Sequence, residues 1–320
     1  GLTVFEGTRV ETFDVEILGK LPNVGPDQNL ILARCSGGPL ARTGVLAGMS
    51  GSPVTIDGKL VGAVAYSWGF SKEPIAGITP IAEMLAIAEL ESGAPAGRSG
   101  AALRDADPLS FLYAPDRVRP LFTEEIPALF RRPAGALPLV IPLAVSGLGG
   151  RGLARVAPLL DQAGFLPVQS GSAGDGGDPA VALEPGSAVG LKLVRGDIEM
   201  TATGTVTWVE GDRVLAFGHP LFGLGAVDLP MTGATVQALL PSLARSARIA
   251  TPLGELGAVR QDRNAGVLGR LGARPRMIPV RFQLTGPGRE ERVYSFDVAD
   301  DPLLSPLLLY ASLNGILASR

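Results

Sequence analysis

The sequence predicts a mainly β protein with a small α/β insert, and three observations carry that expectation. Glycine (43) and proline (27) are abundant among the 320 residues while aromatics make up 5%, a composition that favours short strands and tight turns over helical bundles. Apolar and polar residues alternate over short runs such as Arg9 to Leu18, the period of a half-buried strand. Asp57-Gly58 sits between two such runs, a strong hairpin signal because both residues tolerate the positive φ of a tight turn.

Taken in order, Arg9 to Leu18 and Asn29 to Ala33 read as strands, followed by a hairpin over 53–67. Ile75 to Ile81 reads as a strand, and apolar residues three and four apart from Ala82 to Leu90 read as a helix. Residues 92–135, rich in Gly, Pro, Ser and Arg, read as a linker or surface excursion. Leu139 to Val145, Leu153 to Ala163 and Phe165 to Val168 read as strand, helix and strand, a βαβ-like insert. The loop Ser170 to Pro179 contains Gly171-Ser172-Ala173-Gly174-Asp175-Gly176-Gly177 but lacks the Gly-Lys-Ser/Thr of a nucleotide phosphate loop. Strands resume at Ala188 to Val194, Ile198 to Val209, Val214 to Phe217, Arg276 to Leu284 and Glu291 to Val298, and an apolar helix over 303–317 closes the chain. Three regions follow: 1–95, 96–180 and 181–320.

Several function classes are disfavoured by composition. With 28 basic and 31 acidic side chains and no long run of either sign, the chain lacks the electrostatic footprint of a nucleic-acid binder. Cys35 is the one cysteine and His219 the one histidine, so neither an internal disulfide nor a spaced metal motif is expected, and no cofactor is implied. Cys35 reads as a small buried apolar residue. The longest apolar run, Leu137 to Val145, contains two prolines and is far shorter than the roughly 20 residues that span a bilayer. The sequence begins at Gly1 with neither a methionine nor a secretory apolar core, as a processed or truncated chain would.

The chemistry concentrates in Gly48-Met49-Ser50-Gly51-Ser52-Pro53-Val54, which feeds the hairpin. Glycines on both sides of a serine let the backbone turn so that neighbouring amides converge, here those of Gly48, Met49 and Ser50. Convergent amides beside a serine hydroxyl make an oxyanion hole. Ser52 is a rival nucleophile, but its place past the glycine turn and before Pro53 reads as structural. A serine needs a base, and His219, at the end of the second strand of the Gly204 to Pro220 hairpin, is the one imidazole available. Lys59 and Lys72 are alternative bases on what read as exposed turns.

These residues resemble the SpoIVB-type serine endopeptidases. The serine motif with Asp57-Gly58-Lys59-Leu60-Val61-Gly62-Ala63-Val64 is similar to that family's signature, as are Ala216-Phe217-Gly218-His219-Pro220, Pro252-Leu253-Gly254-Glu255-Leu256-Gly257 and Asn264-Ala265-Gly266-Val267-Leu268-Gly269. The resemblance covers roughly 1–90 and 200–300. In the family the histidine precedes the serine, whereas here Ser50 comes first, so the order looks permuted. More distantly, the motif resembles the Gly-Asp-Ser-Gly-Gly-Pro of chymotrypsin-like enzymes.

The resemblance implies two chymotrypsin-like β-barrels in permuted order, with the active site in the cleft between them. It implies an extracytoplasmic serine endopeptidase that cuts a specific protein, or itself, with Ser50 and His219 as catalytic residues. The third member is open between Asp262, at a spacing near that of the chymotrypsin-like aspartate, and Asp228, which resembles an aspartate near the family's Gly-His segment. Ser67, Trp68 and Gly69 follow the nucleophile hairpin where chymotrypsin-like enzymes pair with substrate backbone. A competing expectation is a protease-like scaffold that binds peptides without cleaving them.

Overall fold

A computed structural model of the chain describes residues 1–25, 28–68, 71–89, 137–171, 181–285 and 291–319. The whole of the expected linker (92–135), Gly69 and the greater part of the 170–179 loop therefore lie outside the described residues. The architecture is mainly β, as the glycine, proline and alternation signals predict.

The first sheet runs β3 (Asp14–Gly25), β4 (Gln28–Ser36), β7 (Ile75–Pro80), β6 (Lys59–Ser67) and β5 (Pro53–Ile56), with the short β8 (Leu137–Pro138) also on β6. A small pair, β1 (Leu2–Val4) and β2 (Val10–Thr12), precedes it. The β5–β6 hairpin turns at Asp57 (φ 50°) and Gly58 (φ 74°), the two left-handed residues that the Asp-Gly signal predicts. The sheet is a path whose end strands β3 and β5 do not pair. β5 is four residues long and its partner is its own hairpin mate, so the pairings among the described residues do not close this region into a ring.

The second sheet contains β9 (Ile141–Ser146), β10 (Phe165–Gln169), β11 (Ala188–Gly196), β12 (Glu199–Glu210), β13 (Arg213–Ala216), β14 (Gly225–Leu240), β15 (Ala247–Arg263), β16 (Gly266–Leu271), β17 (Met277–Leu284) and β18 (Arg292–Ala299). Six of them pair in a closed antiparallel circuit: β12 with β13, β13 with β16, β16 with β15, β15 with β14, β14 with β11, and β11 back to β12. The expected βαβ unit is present, β9 and β10 lying parallel on either side of a helix over Gly150–Gln162. It extends the large sheet through β9 and β12.

Four helices occur among the described residues: α1 (Leu40–Thr43), α2 (Ile81–Glu89), α3 (Gly150–Gln162) and α4 (Leu304–Ala318). α4 is apolar on nearly all sides, and Leu304, Leu307, Leu308, Ala311, Leu313 and Ile316 enter the largest core. Each buried leucine or isoleucine contributes roughly 1.5–3 kcal/mol. α2 joins the two sheets: Met84, Ile87 and Ala88 pack with Ala63 of β6, Leu215 of β13 and Leu268 of β16. The serine-bearing and histidine-bearing regions thereby share a core. No helix among the described residues is long and apolar enough to cross a membrane.

Candidate active site

The nucleophile loop between α1 and β5 is held by its carbonyl groups. Strand β12 carries Thr201, Thr203, Thr205 and Thr207 on one face, all buried. Thr205 Oγ1 donates to the Gly48 carbonyl at 2.9 Å, Thr207 Oγ1 donates to that of Gly51 at 2.8 Å, and the Thr205 amide donates to that of Ser50 at 2.8 Å. These three oxygens share their peptides with the amides of Met49, Gly51 and Ser52, which donate to Leu46 O, Val64 O and Met49 O, so the whole turn is fixed on both sides of its peptides. Gly51 allows the close approach: a Cβ there would lie 1.9 Å from the Thr205 carbonyl oxygen and 2.5 Å from the Phe217 amide nitrogen, at a φ of +97°.

Among the three amides expected to converge, that of Met49 already donates to Leu46 O at 3.0 Å. Met49 is therefore removed from the expected oxyanion hole. Its amide closes the turn, and its side chain is wholly buried in the core of the first sheet. The Gly48 and Ser50 amides have no hydrogen-bond partner among the described residues. The two serines also separate. Ser52 Oγ donates to Thr3 Oγ1 at 3.1 Å, whereas Ser50 Oγ, also fully buried, has no hydrogen-bond partner among the described residues. Ser52 has a structural role, and Ser50 carries the uncommitted hydroxyl.

His219 follows two left-handed residues, Phe217 (φ 69°) and Gly218 (φ 68°). A bulky residue in that region costs about 1–3 kcal/mol and persists where its surroundings over-determine it. Here Phe217 is fully buried, and Thr79 Oγ1 donates to the Gly218 carbonyl at 2.6 Å. The serine and histidine turns meet over β6. The Gly51 amide donates to Val64 O at 2.7 Å, and a Cβ on Gly218 would lie 3.1 Å from that of Ala65. His219 is fully buried, with its ring edge-on to Tyr66 and Phe217. Its Nδ1 stands 2.9 Å from the Pro220 carbonyl oxygen. A carbonyl only accepts, so in the neutral imidazole Nδ1 carries the proton and Nε2 is the basic nitrogen.

The expected acids are engaged elsewhere. Asp262 is buried, and its carboxylate accepts the amides of Leu221, Phe222 and Gly223 at 2.8 Å each and that of Leu224 at 3.3 Å. It shapes the segment directly after His219-Pro220, and its bond to the Leu221 amide fixes the peptide whose carbonyl, that of Pro220, lies 2.9 Å from His219 Nδ1. Burial pushes the Asp262 carboxyl above its ordinary value, and the four amides act against that shift. Asp228 pairs with Arg260 and accepts the Arg276 amide at 3.0 Å. Lys59 and Lys72 are exposed.

The edge expected to receive substrate is filled from within the chain. On one side Tyr66 and Ser67 pair with Gly77 and Ala76 of β7, and on the other with Pro138 and Leu137 of β8. The Leu139 amide also donates to Ala65 O at 2.8 Å. Apolar burial holds this segment down, since Leu139 is enclosed in the first sheet's core with Leu46, Met49, Val54 and Val64. Ser67 is thus not a free edge position. Trp68 is half-buried beyond it. A cleft of about 620 Å³ is lined by Glu83, Ala86, Ile87, Gly223, Asp262 and Asn264 among others.

Sequence reasoning missed Arg248, which is 2% exposed and contacts Gly48. Its one signal is an arginine within a run of small and apolar residues, Ala247 to Ala250. Cys35 is buried, and burial pushes its thiol up to about 12. Among the described residues no group of three or more His, Cys, Asp or Glu side chains is placed to hold a metal ion.

Residues 2–85 match the model of the SpoIVB peptidase S55 family, which bears out the resemblance seen in the serine motif and indicates a serine peptidase. The matched stretch includes the nucleophile loop and its hairpin but not His219. No curated protein and no solved structure matches the chain.

Proposed function

We propose that the chain is a serine endopeptidase acting on a specific protein substrate, or on itself, with Ser50 as nucleophile and His219 as general base. The Ser50 proton passes to Nε2 as Oγ attacks the peptide carbonyl. The amides of Gly48 and Ser50 receive the oxyanion. The imidazolium then returns the proton to the leaving amine as the C–N bond breaks, and water repeats the sequence on the acyl ester. In this reading Asp262 is a positioning residue that acts through the Pro220 carbonyl, and the substrate chain reaches the β6 edge by displacing β8. The circuit of six strands would be the histidine-bearing barrel and the first sheet the serine-bearing unit, in permuted order around a shared cleft. The family match favours action outside the cytoplasm.

The observation that carries the proposal is the contrast within one loop. Every nearby carbonyl is tied down, yet the Ser50 hydroxyl and the Gly48 and Ser50 amides remain unspent. Full burial of Ser50 and His219, with β8 on the β6 edge, favours a second reading, a scaffold that binds peptides without cutting them. A fluorophosphonate probe discriminates the two. The peptidase labels in the native state, loses labelling in Ser50→Ala and keeps it in Ser52→Ala. Absence of native labelling, or labelling that survives Ser50→Ala, rejects the peptidase reading.

A further inference from the structure

We propose that Arg248 is the positioning residue of the oxyanion hole: its guanidinium and its own amide together orient the Gly48 peptide, and its charge favours the oxyanion. This rests on the serine-peptidase reading and deepens it.

Arg248 lies at the start of β15, and its main chain and side chain grip the same glycine from both sides. Its amide donates to the Ala47 carbonyl at 3.1 Å, and Nη2 donates to the Gly48 carbonyl. The Gly48 N–H belongs to the Ala47–Gly48 peptide and points opposite to the Ala47 carbonyl. With the carbonyls before and after the Gly48 Cα both pinned, the direction of that N–H is set. A relay reinforces the grip: Nη2 also donates to Thr205 Oγ1 at 2.8 Å, and that hydroxyl donates to the same Gly48 oxygen at 2.9 Å. The Gly48 N–H is polarised through its own peptide oxygen, that of Ala47, by the Arg248 amide, and a donor whose peptide oxygen is already hydrogen-bonded donates more strongly. Gly48 must lack a side chain here, because a Cβ would stand 2.9 Å from Arg248 Nε.

The remaining contacts explain how a cation survives at this depth. Nη1 donates to Val4 O at 2.9 Å and Thr3 Oγ1 at 3.2 Å, and Nη2 reaches Gly204 O at 3.2 Å. All five partners of the side chain are uncharged oxygens, and no carboxylate among the described residues pairs with it. Burial lowers the guanidinium to about 9, which leaves it protonated at neutral pH. Burying an ion without a counter-ion is costly, and apolar side chains of similar volume often serve a core as well. A charge kept unneutralised beneath the amides that would receive an oxyanion gains its full value when that anion forms in a dry site.

The test uses three variants of the full chain: Arg248→Gln, Arg248→Lys and Thr205→Val. Saturation labelling of Ser50 by a fluorophosphonate yields the limiting rate and the apparent affinity separately, and a melting curve reports folding. Loss of one oxyanion donor lowers rate by about a hundred- to a thousand-fold, so Arg248→Gln should lower the limiting rate about a hundredfold with affinity within about threefold. Arg248→Lys, which keeps charge but loses the fork, should fall between Gln and parent. Thr205→Val, which leaves the charge in place, should lose less than about tenfold. A folded Arg248→Gln that labels within about threefold of the parent overturns the assignment. Should Arg248→Gln not fold, a folded Arg248→Lys with the parent's limiting rate overturns it, and one slowed at unchanged affinity supports it. A parent whose Ser50 never labels overturns the peptidase reading and this assignment with it, whereas a labelled parent with unaffected variants overturns this assignment alone.

Discussion

Replacing Asp262 separates two roles that a buried aspartate near the proposed general base can play. Its two oxygens accept four amides from Leu221 to Leu224, three of them at 2.8 Å. Hydrogen bonds to a charged group are worth about 1.5–3 kcal/mol each, but four bonds on one carboxylate do not add, because the released segment relaxes. The cleft lined by Gly223 also lets water reach part of it. Asp262→Ala should therefore cost about 3–5 kcal/mol, the range for breaking a buried charged network. In a chain of this size that corresponds to a fall in melting temperature of roughly 5–15 °C. Asp262→Asn should also destabilise, because its amide group turns hydrogens toward amides that need an acceptor.

The assay pairs thermal melting with hydrogen exchange at residues 221–224. Loss of the carboxylate should accelerate exchange of these four amides in both variants while α4 stays protected. A residue that directly orients the imidazole predicts the reverse pattern: Asp262→Asn would keep its stability and lose activity by about 10⁴-fold. An Asp262→Ala protein that melts within about 2 °C of the parent, with the 221–224 amides still protected, would refute the positioning role.

Two further expectations follow from burial. Leu139→Ala removes a side chain that is 3% exposed and anchors the segment beside β6; it should cost about 2–5 kcal/mol and, by loosening β8, speed labelling of Ser50, and an unchanged or slower rate shows that β8 does not restrict access. Cys35, its thiol raised from 9.0 to about 12 by burial, should resist alkylation at pH 8 in the native protein. Because the native thiol holds its proton while the unfolded one ionises, stability should fall as pH rises from about 9 to 12, by at most about 1.4 kcal/mol per unit, and Cys35→Ala should lose that slope.

What could be read from the sequence was local. The β5–β6 hairpin follows from Asp57-Gly58, the β9–α3–β10 unit from a change of period, and the serine and histidine turns from glycines beside reactive side chains. The long β14–β15 hairpin left no such trace. Pro230, Gly233, Pro252 and Gly257 interrupt it, and its register shifts at four places, including between Ala226 and Leu229 and between Val236 and Ala238. Each bulge resets the alternation by which a strand is recognised. The place of β8 beside β6 and the burial of Arg248 are likewise set by contacts between residues far apart in the chain. No window of sequence contains both partners.

That separation bears on what the family match can mean by itself. Residues 2–85 carry Ser50, Gly48 and Gly51, yet the groups that orient them lie elsewhere: Thr205 and Thr207 on β12, Arg248 on β15, and His219 beyond β13. Without β12 the carbonyls of Ser50 and Gly51 would lose their donors and that of Gly48 would keep Arg248 alone, so the turn would be held less firmly. The glycines that permit the turn do not impose it, because residues free to adopt a positive φ are equally free to leave it. A serine loop recognisable from its own six residues is therefore ordered by side chains more than 150 residues away.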